Sequence, residues 1–396
     1  MPARVFVTGF GIISSIGIGP EETMLSLSGK KSGIGRLQLF QSALDGIPVG
    51  EIKKTTPELA ELANIKLDNH HSRSFLLGLI AAKDAIQMAG CNVRNCNIGM
   101  IGSTTVAGQD LLDAHYEEML DHPCHDLAMY QAFGCSGTTE LIALELGISH
   151  NVATISTACS SSANAIMNGA RMIRNGLADT MLVGGMDALS KFSINGFNAL
   201  EILSPTGCRP FDRDRNGITP GEGAAFVVLE SEEKAKGKKV YAEIKGYANL
   251  NEAFHQTLVN PEGLYARNTM LKAVESAGLS VADIDYVNAH GTGTEANDLA
   301  ECKAIKDAFG EKIPLVSSTK GFTGHTFAAA GAIECVLSIL SINNNMALPN
   351  VGLSNLMPES AFSPVTEPLL MPVNNIVSNS FGFGGNDTSL VISKVQ

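Results

Sequence analysis

The amino-acid sequence predicts an α/β fold built from two similar halves, on three observations. Short β-branched runs alternate with helical patterns along the 396 residues. The order of these features occurs twice. Two helices of small residues, one after Cys159 and one after His325, read as a buried central layer, because Ala, Gly and Ser let backbones approach closely on all sides.

Taken in order, VFVTGF near the N-terminus reads as a strand, FLLGLIAAKDAIQMAG as a helix, and IGMIGS as a buried strand. VATIST is a further strand, SANAIMNGARMIRNG a helix, and TMLVGG and GEGAAFVVLES close the first half. The second half repeats the order weakly. AEIKGYANL answers VFVTGFGI, DYVNAHGTGT answers NIGMIGSTT, PLVSSTKGFTGHTFAAAG answers VATISTACSSSANAI, and GGNDTSLVISK answers GEGAAFVVLES. The charged stretch EEKAKGKK is a solvated connector, placing the halves at 1–238 and 239–396. Such a duplication brings corresponding strand ends together between the halves.

Composition narrows the function. With 44% hydrophobic and 17% charged residues the chain can bury a large core. A net charge of −12 argues against nucleic-acid or anionic-membrane binding, which needs a basic surface. Lys83 and Glu334 interrupt the two longest apolar runs, so neither reads as a membrane helix of about 18 residues. The N-terminal MPARVFVTGFGIISSIGIG reads as a strand and loop rather than an export signal, so a cytoplasmic protein is expected. Eight scattered cysteines read as reduced thiols. His122, Cys124 and His125 in HPCH are metal-ligand types without a second ligand pair at a recognisable spacing, so no metal site is predicted.

The candidate site begins at Cys159 in STACSSS, at a strand-to-helix junction where a helix N-terminus lowers a thiol's pKa. Ser160, Ser161 and Ser162 read as capping and packing residues. A buried free cysteine is also a good small hydrophobe, so the position alone does not assign chemistry. His290 closes the strand DYVNA with Thr292 and Thr294 on the loop after it. His325 precedes the second small-residue helix, with Lys320 and Glu334 beside it. NSFGFGGND offers backbone N–H groups suited to an oxyanion hole, or is a flexible turn.

STACSSS, AHGTGT, STKGFTGH…AAAG and NSFGFGG, in this order across essentially the whole chain, resemble the β-ketoacyl synthases of fatty acid and polyketide synthesis. The resemblance implies the thiolase fold, five layers αβαβα, a homodimer, and a partner acyl carrier protein loaded with acyl or malonyl groups. It implies that Cys159 takes the acyl chain, that His290 and His325 stabilise the enolate from malonyl decarboxylation, and that the N–H groups of Cys159 and Phe383 hold the oxyanion. Lys320 and Glu334 are then expected to organise His325 and its surroundings, with Asp298 and Glu301 as plausible partners of Lys320. Thr292, Thr294, Phe381 and Gly384 are expected to bind substrate, Phe383 to gate the site, and Thr105 to lie near the tip of the acyl pocket. No metal or dissociable cofactor is implied, since the pantetheine arm belongs to the carrier. Arg209, Arg213 and Arg215 are candidates for carrier docking or for structural ion pairs.

The chain departs from the family pattern in three places. Gly384-Gly385-Asn386-Asp387 replaces Gly-Gly-Thr-Asn, LSPTGCRPFD is short, and KLDNHHSRSFLLG carries histidines where discrete elongating relatives are basic. Competing readings are a non-condensing chain-length partner subunit, which lacks the nucleophile, a degradative thiolase, and a nicotinamide oxidoreductase suggested by VTGFGIISSIG.

Overall fold

A computed structural model describes residues 3–44, 46–93, 96–121 and 127–395. The HPCH group lies outside the described residues. Ten strands run in line through one eleven-stranded sheet. They are β1 (Val5–Ser14), β2 (Ile98–Ser103), β3 (His150–Ile155), β4 (Thr180–Asp187), β5 (Gly223–Ser231), β6 (Ala242–Asn251), β7 (Tyr286–Asn288), β8 (Leu315–Ser317), β9 (Asn375–Gly382) and β10 (Asn386–Ser393). Their spatial order is β8-β7-β9-β10-β6-β1-β5-β4-β2-β3.

The two halves meet at the antiparallel β1–β6 pair, and each repeats one pairing scheme outward from it. Moving out from β1, β5 and β4 follow antiparallel, then β2 and β3 parallel. Moving out from β6, β10 and β9 follow antiparallel, then β7 and β8 parallel. The strands matched in sequence, such as IGMIGS with DYVNA, thus occupy equivalent places in the sheet.

Helices complete the layers. The helix α1 (Arg73–Met88) covers β1, β4 and β5 from outside, while α2 (Ser161–Arg174) lies on the opposite face of β4 and β2. The short α3 (Lys191–Ala199) follows β4. Outside the second half lie α4 (Leu264–Ser276) and α5 (Glu295–Phe309), and α6 (Ala330–Asn344) packs against α2, β5 and β9. The result is the five-layered αβαβα arrangement. The central α2–α6 layer is possible because Gly331 sits where a Cβ would come within 2.8 Å of the Ala163 nitrogen.

The stretch Phe327–Asn344 is long and apolar enough to cross a membrane, yet 89% of it is buried inside the protein. It is the core helix, and Glu334 within it is held by an ion pair with Lys320. The nicotinamide reading fails here. Gly9 and Gly11 lie within β1, where a Cβ would come 2.3 Å from Ala85 O and 2.1 Å from Ala81 O of α1, so these glycines seat a helix rather than wrap a pyrophosphate.

Candidate active site

The turn after β3 carries the nucleophile. Ala158 adopts φ 52°, a left-handed conformation that costs free energy for a residue with a Cβ and marks a strained site. The following Cys159 is 8% exposed, just before α2. The serines do not cap α2 through their side chains. Instead Ser160 Oγ shares its one proton between Thr157 O and Asn386 Oδ1, both at 2.8 Å, Ser161 Oγ accepts from Thr157 N–H at 2.8 Å, and Ser162 Oγ accepts from Ala332 N–H of α6. Ser160 and Ser161 lock the turn, and Ser162 ties α2 to α6.

The Cys159 sulfur and a ring nitrogen each of His290 and His325 lie within 4.8 Å of one another. The imidazole rings stand edge-on, 5.5 Å apart at 88°. Burial pushes the Cys159 thiol up to about 11, against which Lys320 and the backbone N–H groups of Phe383 and Cys159 favour the thiolate. Burial therefore opposes the helix end and the N–H groups at this sulfur, which stays 8% exposed where two cavities reach it.

Burial, with Lys320 nearby, holds both histidines well below the ordinary imidazole range, so both rings are neutral. The partners of each Nδ1 then fix the tautomers. Phe327 N–H donates to His325 Nδ1 at 3.1 Å, and Lys320 Nζ, which has no lone pair when charged, lies 3.2 Å from His290 Nδ1. Each ring therefore carries its proton on Nε2. The site holds two neutral N–H donors beside a thiol.

Lys320 is saturated by His290 Nδ1, by His290 O at 2.6 Å and by Glu334 Oε1. Within the surroundings of His325 it organises the His290 ring directly, because its amine reaches across to the loop just past β7. Asp298 and Glu301 are not its partners. Glu301 accepts from the N–H groups of His290 and Gly291, each at 2.8 Å, and from Asn379 Nδ2. Asp298 accepts from Phe211 and Gly293 N–H and faces Arg215 at 3.8 Å. Both carboxylates clamp backbone around the histidine loop, since orphan N–H groups there need acceptors.

Two cavities meet at Cys159. The first is lined by Thr292, Thr294, His290, His325, Phe381, Phe383 and Gly384, and the two threonine hydroxyls are 3.0 Å apart. The second, about 420 Å³ and almost wholly apolar, is lined by Thr105, Phe192, Phe197, Phe327 and Phe383. Phe383 belongs to both. Phe381 packs 5.8 Å from the His290 ring. An ammonium beside His290 disfavours a metal in the Cys159–His290–His325 group.

The sequence reading missed Asn164, Asn249 and Phe327. Asn386 Oδ1, whose role the sequence left open, accepts from Ser160 Oγ, Asn164 Nδ2 and Asn249 Nδ2, each at 2.8 Å, and so ties the loop after Phe383 to the nucleophile turn. Among the arginines, Arg215 is buried and bonds to Asp212 O and Glu295 O, whereas Arg213 is exposed.

Fold and site together define a condensing-enzyme arrangement: a buried thiol, two neutral imidazole donors, and two cavities meeting at the sulfur, one bearing threonine hydroxyls and the other almost wholly apolar. The chain belongs to the β-ketoacyl synthase family. The family's N-terminal domain matches residues 3–235 and its C-terminal domain residues 241–354. The chain is 32% identical to 3-oxoacyl-[acyl-carrier-protein] synthase 2 of Staphylococcus aureus (strain N315) and 33% identical to that of Vibrio cholerae, over 99% of both chains in each case. Among solved structures it superposes on the ishigamide ketosynthase/chain length factor with a TM-score of 0.92 at 29% identity, both chains fully covered. A type II polyketide ketosynthase solved with its acyl-carrier protein gives 0.87 at 29% identity, again with full coverage of both.

Proposed function

We propose that this protein is a β-ketoacyl-acyl carrier protein synthase, joining an acyl group held on Cys159 to malonyl-acyl carrier protein with loss of CO₂. The observation that carries the reading is the Cys159–His290–His325 cluster, with both Nδ1 atoms occupied and two cavities meeting at the sulfur. The pantetheine arm enters past Thr292 and Thr294, and the acyl chain lies in the apolar chamber beyond Phe383.

In the first half-reaction Cys159 attacks the acyl thioester, and the N–H groups of Cys159 and Phe383 hold the tetrahedral oxyanion. The carrier thiol leaves with the proton that the Cys159 thiol gives up. Malonyl carrier then binds. Its carboxylate departs as CO₂, and the electron pair forms an enolate whose oxygen accepts from the Nε2–H groups of His290 and His325. Decarboxylation generates the carbanion by itself, so the site needs donors rather than a strong base. The enolate attacks the acyl carbonyl and the Cys159 thiolate leaves.

Chain elongation in fatty acid synthesis, or in a specialised polyene or polyketide pathway, both fit this chemistry. Retention of Cys159 argues against a non-condensing partner subunit. The halves 1–238 and 239–396 act as two units, one supplying the thiol and the other both histidines. A second copy completes the enzyme: β3 is one of the sheet's two edge strands, and Phe192 and Leu200 are exposed beside the chamber. The protein works in the cytoplasm. Intact mass after incubation with acyl carrier protein thioester tests the reading; an adduct on Cys159 is expected, and its absence in folded enzyme refutes it.

A further inference from the structure

The carboxylate of Asp187, at the end of β4, is fully buried and lies between the apolar chamber and the His325 turn. It collects donors from both. On the chamber side it accepts from Thr104 Oγ1, from the N–H groups of Thr105 and Val106 at 3.1 Å, and from Thr105 Oγ1 at 2.7 Å. On the histidine side it accepts from Ala328 N–H at 2.8 Å. Thr105 lines the chamber, and with its hydroxyl turned to Asp187 it offers the chamber its methyl group.

Ala328 follows Phe327, whose backbone is held at φ 49°, a conformation that a residue with a Cβ keeps only when its surroundings impose it. Phe327 does two things at once. Its N–H donates to His325 Nδ1, and its ring, stacked on Phe197 at 5.4 Å, walls the chamber. The Ala328 bond to Asp187 fixes the strained turn directly after it. An ionised carboxylate fills its acceptor sites, about four, from the three N–H and two hydroxyl groups around it, whereas an amide would turn N–H groups toward N–H groups.

We infer that Asp187 is a positioning residue that couples acyl-chain selection to enolate stabilisation, by setting the Thr105 wall and the Phe327–His325 turn from one carboxylate. The inference rests on the synthase reading and adds to it a residue that touches neither substrate. A purely structural role lowers all activities together; coupling changes the ratio among primers and also a half-reaction that uses no primer.

The experiment compares wild-type enzyme with Asp187→Asn and Thr104→Val. It reads kcat/KM for acyl carrier thioesters of graded length, and labelled CO₂ release from malonyl carrier without primer, at a temperature where circular dichroism shows folded protein. Asp187→Asn is expected to change the long-to-short primer ratio at least fivefold and to lower CO₂ release at least tenfold. Thr104→Val, which removes one donor to Asp187 together with the acceptor of Ala107 N–H, shifts both in the same direction by less. A folded Asp187→Asn with the wild-type primer ratio or wild-type CO₂ release overturns the inference. If Asp187→Asn does not fold, an unchanged primer ratio in Thr104→Val overturns it. Failure of wild-type enzyme to release CO₂ or form an acyl adduct instead refutes the synthase reading.

Discussion

Replacing Lys320 with Met removes a fully buried ammonium whose three bonds go to Glu334, to His290 O and to His290 Nδ1. Two consequences follow. Glu334, already pushed up to about 7 by burial and with Oε2 unpartnered, loses the ammonium that pairs with it and takes up a proton, so the cost stays below the roughly 3–5 kcal/mol of leaving a bare buried charge. His290 loses the donor that holds its proton on Nε2, so the ring no longer presents a fixed donor to the enolate. Losing one such donor costs about 2.7–4 kcal/mol, or about 10²–10³ in rate. Labelled CO₂ release from malonyl carrier should fall by that factor in folded Lys320→Met. Acylation of Cys159, read by intact mass, should slow less, because Lys320 only assists the thiolate there while the two N–H groups remain. Undiminished CO₂ release would refute the tautomer argument.

Three further outcomes are expected. Thr105→Phe should shorten the longest accepted primer by filling the apolar chamber, at a cost of about 1–3 kcal/mol in overpacking; primer profiles by intact mass check this. Arg213→Glu should raise KM for carrier substrates while leaving small pantetheine thioesters unaffected, since Arg213 is exposed where Arg215 is buried. Asp387, pushed up to about 8 by burial and by Glu252 and Glu301, binds a proton in the folded state that the unfolded chain releases above an ordinary carboxylate pKa near 3.9. Stability should therefore fall between about pH 4 and pH 8, by at most about 1.4 kcal/mol per pH unit, and denaturant titrations of Asp387→Asn should lack that loss.

The fold was legible because burial on both faces left continuous β-branched runs, and because IGMIGS and DYVNA stand at equivalent positions of a repeated topology. The reactive residues were legible for a related reason: Cys159 and the two histidines sit at strand ends or helix starts, where a side chain can be aimed. Their partners were not. That Lys320 bonds to His290, 30 residues away, and that Glu301 and Asp298 bind backbone N–H groups, depends on how the chain folds these segments against one another. The sequence shows the helix start at Cys159 but not the burial of the sulfur that opposes it. Asn386 was visible as a departure, yet its three donors come from α2, the nucleophile turn and β6.

The central claim is that acyl transfer and enolate formation belong to different groups in one site. Labelled CO₂ release and intact mass on folded single variants test it most directly. Cys159→Ala should form no acyl adduct yet still release CO₂ from malonyl carrier, while His290→Ala and His325→Ala should each lower that release by about 10²–10³. An acyl adduct on Cys159→Ala, or wild-type CO₂ release from both histidine variants, would contradict it.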